Sequence, residues 1–71
     1  MVANLYKVNF TGANLSNVKL NHANLMYSNL EAVDFSCADL TSVDLKLSNL
    51  KWANFTQANF HDVKLGNIKI E

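Results

Sequence analysis

His22, Ser42 and Asp62 stand twenty residues apart in turn, and together they hold the side chains of a hydrolytic relay. A serine nucleophile needs an imidazole to take its proton and a carboxylate to orient that imidazole. The histidine must therefore sit between the other two, and here the serine does. Were twenty residues one circuit of a coil, the three would project from a single corner, ~5 Å apart in succession. Such a surface is convex, with no oxyanion donors in view. Surface polar filler is the simpler account.

Other reactive residues lead to the same place. His61 and Asp62 could approach one metal ion, but His22 would lie about two coils away, beyond the span of shared ligation. Cys37 is the sole cysteine, so it forms no internal disulfide, and no base near it makes a nucleophile. Asn9-Phe10-Thr11, Asn14-Leu15-Ser16 and Asn54-Phe55-Thr56 match the glycosylation sequon as by-products of a repeat that supplies Asn and a following hydroxyl. There is no glycine-rich phosphate loop, no cysteine pair and no basic–aromatic stretch. The expectation is a non-enzymatic chain with no cofactor and no metal.

With 71 residues, 49% of them hydrophobic, the chain is long enough for one small core, expected as a single domain over residues 1–71. Six basic and six acidic residues give a net charge of zero, which removes the simplest argument for nucleic acid or an anionic membrane. No apolar run is long enough to span a bilayer. Met1-Val2-Ala3-Asn4 enters the repeat at once, without a signal peptide, so a cytoplasmic location is expected.

The spacing of large apolar residues supplies the scaffold. They recur at every fifth position: Leu5, Phe10, Leu15, Leu20, Leu25, Leu30, Phe35, Leu40, Leu45, Leu50, Phe55, Phe60, Leu65 and Ile70. Two residues before each stands a small or β-branched one, from Ala3 and Val8 through to Ile68, with mostly Asn or Asp between. On a helix, residues five apart rotate ~140°, which would smear the series around every side. On a strand, an odd spacing alternates faces. The series keeps one side only if the backbone corners once per repeat. Asn and Asp suit corners, because their side chains bond nearby amides. The absence of proline leaves every backbone donor free to bond the coils above and below. Gly12 and Gly66 are too few to make the corners.

Ala3-Asn4-Leu5, Ala13-Asn14-Leu15, Ala23-Asn24-Leu25, Ala38-Asp39-Leu40, Ala53-Asn54-Phe55 and Ala58-Asn59-Phe60 carry a resemblance. They resemble the A-(D/N)-L-X-X pattern of the pentapeptide-repeat family, with Val33-Asp34-Phe35 and Val43-Asp44-Leu45 as close variants. The resemblance covers Val2 to Ile70, with Ser28 and Ser48 as accepted variants. It departs at Lys19, Lys64 and Lys69, which replace Asn/Asp and leave those corners less well supported. It implies an all-β fold, a right-handed quadrilateral β-helix of about three and a half coils with residues twenty apart stacked. Periodicity alone leaves a triangular coil of three repeats open. With four, Leu5, Leu25, Leu45 and Leu65 share one inward column, and Phe10, Leu30, Leu50 and Ile70 a second. Leu15, Phe35 and Phe55 form the third, Leu20, Leu40 and Phe60 the fourth.

In that arrangement Tyr6 and Met26 share an outward column, Tyr27 and Leu47 the next, and Trp52 projects from the following corner beside Ala32. Grouped tyrosine, methionine and tryptophan make a candidate protein-binding patch, interrupted by Lys7 and Lys46. Neither end carries an evident cap, so a homodimer through the ends, or further protein over them, is expected. The first thirty residues carry two lysines, Glu31 to Leu45 four acids and no base, and the remainder four lysines against Asp62 and Glu71. The resemblance also implies an alternative, since some of the family are long acidic rods that mimic DNA and bind type II topoisomerases. Here the four acids are expected on successive faces of one coil, a belt rather than a stripe. The favoured function is a structural or protein-interaction module; the alternatives are a DNA-mimicking topoisomerase (gyrase) binder and a self-assembling stub stacked end to end.

Overall fold

The computed structural model describes residues 2–69. A backbone that corners once in five residues keeps three for each straight side and two for the corner, and this alternation runs through the chain. The middle residue of each side bridges in parallel to the residue twenty positions on. Asn4, Asn24, Asp44 and Lys64 descend one face, and Asn9, Asn29, Asn49 and Lys69 the next. Asn14, Asp34 and Asn54 descend the third, and Lys19, Asp39 and Asn59 the fourth. Twenty residues per circuit at five per side make four sides. The triangular alternative is thereby excluded. Each rung is an isolated bridge, and no longer strand forms among the described residues. The pairing is β-type as expected, but the sides are too short to become strands.

Each amide of the repeat has a destination, as buried backbone requires. In the repeat centred on Leu25, the Leu25 amide donates to Asp44 O at 2.8 Å and the Tyr27 amide to Lys46 O at 3.1 Å, both in the next coil. Asn24 donates back to Ala3 O at 3.0 Å, and Ser28 closes the corner on Leu25 O at 3.3 Å. One donor remains, the Met26 amide, which neither ladder reaches. Asn24 Oδ1 accepts it at 3.0 Å. The preference for Asn or Asp follows from that single orphan donor. Eleven corners make the bond, from Tyr6 on Asn4 to His61 on Asn59.

The lysine departures separate into two outcomes. After Lys19 the Asn21 amide lacks a carboxamide acceptor, yet the corner still closes from Ala23 to Leu20 O at 2.8 Å. After Lys64 neither bond forms, and Gly66 and Asn67 relax into an open bend. The corner following Lys69 lies outside the described residues, as does Ile70 of the second inward column.

The second corner residue has a positive φ, between 53° and 72°, in all thirteen repeats from Lys7 to Asn67. In the twelve corners that also close a bond from the fourth residue to the first, this matches a type II turn, which ordinarily favours glycine. Only Gly12 meets that preference; the other twelve carry side chains. None of the twelve is Val, Ile or Thr, although those residues are frequent elsewhere in the chain. A branch at Cβ is strongly disfavoured in this backbone region.

The inward columns form as expected from Leu5 to Phe55, but not at Phe60 and Leu65, where no further coil covers them among the described residues. Leu25, Leu30, Phe35, Leu40 and Leu45 are wholly buried, with Ala23, Val33, Ala38 and Val43 packed around them. Each such large side chain removed from water contributes ~1.5–3 kcal/mol. Ser28 and Ser48 are the buried polar members, and their hydroxyls donate to Leu25 O and Leu45 O at 2.6 Å. Leu5, Phe10, Leu15 and Leu20 are half-buried, while Phe60 and Leu65 are exposed. Among the described residues no helix is long and apolar enough to cross a membrane.

Candidate interaction surface

His22, Ser42 and Asp62 occupy equivalent left-handed corner positions, with φ of 65°, 59° and 57°. The shared column does not connect them: no hydrogen bond joins Ser42 to either. Asp62 instead lies 3.3 Å from Nε2 of His61, both side chains largely exposed. Among the described residues there is no cavity and no cluster of three metal-ligating side chains. Cys37 is exposed and its thiol meets Gln57 Oε1 at 3.5 Å, the neighbour expected twenty residues on.

The aromatic residues are better connected. Tyr6 and Tyr27 meet edge to face, ring centroids 5.7 Å apart and planes at 79°. Pairs of this kind add ~0.5–1.5 kcal/mol beyond burial, yet both rings stay about half exposed, at 47% and 50%. Lys7 Nζ lies 5.6 Å from the Tyr6 ring centroid. Leu47 is exposed, one circuit from Tyr27, and Met26 is half-buried. Trp52 is 65% exposed on the following corner, with Lys51 Nζ 5.3 Å from its ring centroid. The face of Asn29 and Asn49 runs between these corners. The five expected patch residues therefore make two centres on one side of the coil.

The acids form a belt with one difference from the expected layout. Asp34, Asp39 and Asp44 sit on three successive faces, whereas Glu31 sits at the corner ahead of them. A face position needs the Asn/Asp acceptor, and Glu31 instead follows Asn29 as the residue whose amide is accepted. The amide of Ser36, and then its hydroxyl, hold the Asp34 carboxyl below its ordinary value. For Asp39 the Thr41 hydroxyl does most, followed by the Asn21 carboxamide and the Thr41 amide. These carboxylates are engaged in holding corners, which accounts for acids that the sequence offered as a possible binding feature.

Parallel bridging at a constant twenty-residue interval, with an Asn or Asp acceptor holding eleven corners, defines a pentapeptide-type solenoid. The pattern of the pentapeptide repeat region matches residues 2–71, and the chain belongs to the pentapeptide-repeat family. Among solved structures it is similar to Rfr23, a pentapeptide repeat protein from the cyanobacterium Cyanothece 51142. That likeness has 26% identity and a TM-score of 0.87, over 96% of this chain and 50% of the other. A pentapeptide repeat protein of the Arabidopsis thaliana thylakoid lumen is 24% identical with a TM-score of 0.52, over 96% of this chain and 51% of that one. QnrB1, a plasmid-mediated fluoroquinolone resistance protein, is 16% identical with a TM-score of 0.54, over 97% and 36%. The last two likenesses show the fold alone. The chain spans about half, or less, of the length of these relatives. No curated protein matches it.

Proposed function

We propose that the chain is a non-enzymatic structural and protein-interaction module. In this reading it is a single right-handed solenoid domain of about three and a half coils, working in the cytoplasm. The observation that carries it is the placing of Tyr27, Leu47 and Trp52. All three are large, apolar and exposed, at corner positions with φ of 60°, 63° and 61°. A side chain there strains the backbone, by ~1–2 kcal/mol relative to glycine, while Tyr27, Leu47 and Trp52 leave 50%, 38% and 65% of their surface in water. Large apolar groups held outward under those terms suit contact with another protein. The family is in general one of non-enzymatic structural modules, which supports the same reading.

The test is a Tyr27→Ser/Trp52→Ser double variant compared with the parent in affinity capture from the native host, each captured protein then purified and titrated directly. The variant is expected to lose the parent's partner while keeping its far-UV spectrum. Equal retention of every partner by a folded variant rejects the reading.

Mimicry of DNA toward a topoisomerase is supported less. It needs acids repeated down the axis, and on their faces Asp34, Asp39 and Asp44 alternate with Asn14, Asn54, Lys19, Asn59, Asn24 and Lys64. A gyrase supercoiling assay is expected to show no inhibition at micromolar chain. End-to-end self-association would use the coil of Phe60 and Leu65, which are 39% and 54% exposed. Sedimentation equilibrium distinguishes it, and a monomer throughout the accessible concentration range removes it.

A further inference from the structure

We infer that the side of the coil bearing Tyr6, Tyr27 and Trp52 receives an acidic protein segment that also carries leucine or aromatic side chains. This rests on the interaction-module reading and adds the chemistry of the partner.

The charge layout is the first support. Along the chain the lysines look dispersed, and the twenty-residue register gathers them. Lys64 ends the Asn4 face and Lys69 the Asn9 face, while Lys7 and Lys46 sit on the corner between those faces. Lys51 sits on the corner that follows. Among the described residues these two faces and the three corners that bound them also carry three carboxylates, Glu31, Asp44 and Asp62. All three are already engaged. Asp44 accepts the Lys46 amide at 3.1 Å and lies 3.8 Å from its ammonium, Glu31 accepts from the Asn49 carboxamide at 3.4 Å, and Asp62 lies 3.3 Å from Nε2 of His61. The two opposite faces carry Lys19 with Asp34 and Asp39. A chain of zero net charge thus presents one basic flank and one acidic flank.

The second support is that the basic flank also carries the open aromatic and aliphatic surface. Tyr6 and Tyr27 meet there, Leu47 and Trp52 are exposed there, and the Lys46 stem lies against Gly66, where an added Cβ would meet its Cγ at 3.4 Å. That stem extends the apolar area while its ammonium stays in water. An acidic partner with apolar side chains matches both features.

Two other occupants match only one feature each. A second copy could offer its acidic flank, but the exposed residues there include Asn14, Asn17, Asn21 and Gln57, which leave the tyrosines without apolar contact. Single-stranded nucleic acid combines charge with stacking on aromatic faces. Here Tyr6 and Tyr27 are set edge to face with Lys7 near the Tyr6 ring, so successive bases find no parallel row of ring faces. Leu47 and Met26 add aliphatic surface, which favours side chains over bases.

The experiment titrates the folded chain with a synthetic peptide of about twelve residues that intersperses Glu with Leu and Phe. Trp52, the one tryptophan of the chain, reports by fluorescence, and calorimetry gives the affinity. Comparators are the same peptide with Gln for Glu, polyglutamate, and oligo-dT. Expected is saturable binding of the Glu peptide, weakened by added salt and weakened about tenfold or more by Tyr27→Ser or by Lys46→Gln. Lys19→Gln on the far flank leaves it unchanged. Tyr27→Ser is expected to fold, since Ser42 holds the same backbone position with φ of 59°, and far-UV circular dichroism checks it. Equal affinity of the Gln peptide overturns the acidic assignment and leaves the interaction-module reading standing. Equal affinity of polyglutamate overturns the apolar half, and tighter oligo-dT overturns the partner class. Absence of saturable binding by either peptide rejects the inference and weakens the reading beneath it.

Discussion

Phe35 and Phe55 lie ring over ring, centroids 5.3 Å apart and planes within 8°, at positions one circuit apart. The stack runs through the interior, with Phe35 wholly buried and Phe60 tilted against Phe55 at 5.0 Å. Removing the lower ring leaves a void that a shaft of this width cannot close by collapse. Phe35→Ala is expected to cost ~3–5 kcal/mol, comparable to the whole stability of a small domain. Phe60→Ala, at a ring 39% exposed, is expected to cost about 1–2 kcal/mol. Urea unfolding of the two variants measures the difference. Equal midpoints would contradict the buried placement of Phe35.

Lys64 leaves a repairable corner. The Gly66 amide lacks the side-chain acceptor present at eleven other corners, and the segment opens into a bend. Lys64→Asn supplies that acceptor at the face position where Asn4 and Asn24 already carry out the role. It is expected to stabilise by about 0.5–1.5 kcal/mol, the net worth of one hydrogen bond. Lys64→Ala offers no acceptor and serves as the control. A stabilisation shared equally by both would point to loss of the lysine charge as its source.

These corners also mark what could be read from the chain alone. The inward columns through Leu25, Leu30, Phe35 and Leu40 were legible because a five-residue apolar period has few backbone solutions. The role of Asn24 and its equivalents was legible because a short carboxamide bonds the amide two residues on. Four sides rather than three was not, since Leu40 packs inward in either coil and bridges such as that from Lys19 to Asp39 are what distinguish them. The basic flank depends on the same choice: Lys7 and Lys46 share a corner, and Trp52 takes the next, only when a circuit holds four repeats. The left-handed corners do leave a mark in the chain, the absence of Val, Ile and Thr at every described position equivalent to Tyr27 from Lys7 to Asn67.

Asp34 and Asp39 carry an acid dependence whose sign is fixed. Both are held below the ordinary carboxylate value of 3.8 by hydrogen bonds from Ser36, and from Thr41 and Asn21. A group whose folded value is depressed adds stability that is complete above its unfolded value and fades as pH falls through the folded one. The thermal midpoint is expected to hold from neutral pH down toward 3.8 and to drop below it. Asp34→Asn/Asp39→Asn keeps the Oδ1 acceptor without the titration, as Asn54 and Asn59 do one circuit on. A double variant with the parent's acid sensitivity would assign the loss to other carboxylates.

Ala32 tests whether the corner backbone is strained. Its φ is 59°, and one circuit on, the same corner position is held by Trp52 with φ of 61°, so bulk alone is not what the site refuses. A β-branched residue is refused, because its second Cβ substituent meets the adjoining peptide in the left-handed region. Ala32→Val is expected to destabilise by about 1–3 kcal/mol. Ala32→Gly relieves the Cβ contact in the folded chain and loosens the unfolded one, two effects of ~0.5–2 kcal/mol with opposite sign. Its unfolding midpoint is therefore expected close to the parent's. The order glycine and alanine together, valine well below, is the outcome that left-handed corners require. If valine unfolded at the same denaturant concentration as alanine, position 32 would have to leave the left-handed region without disturbing the ladder from Ala32 N to Lys51 O, a bond of 2.8 Å.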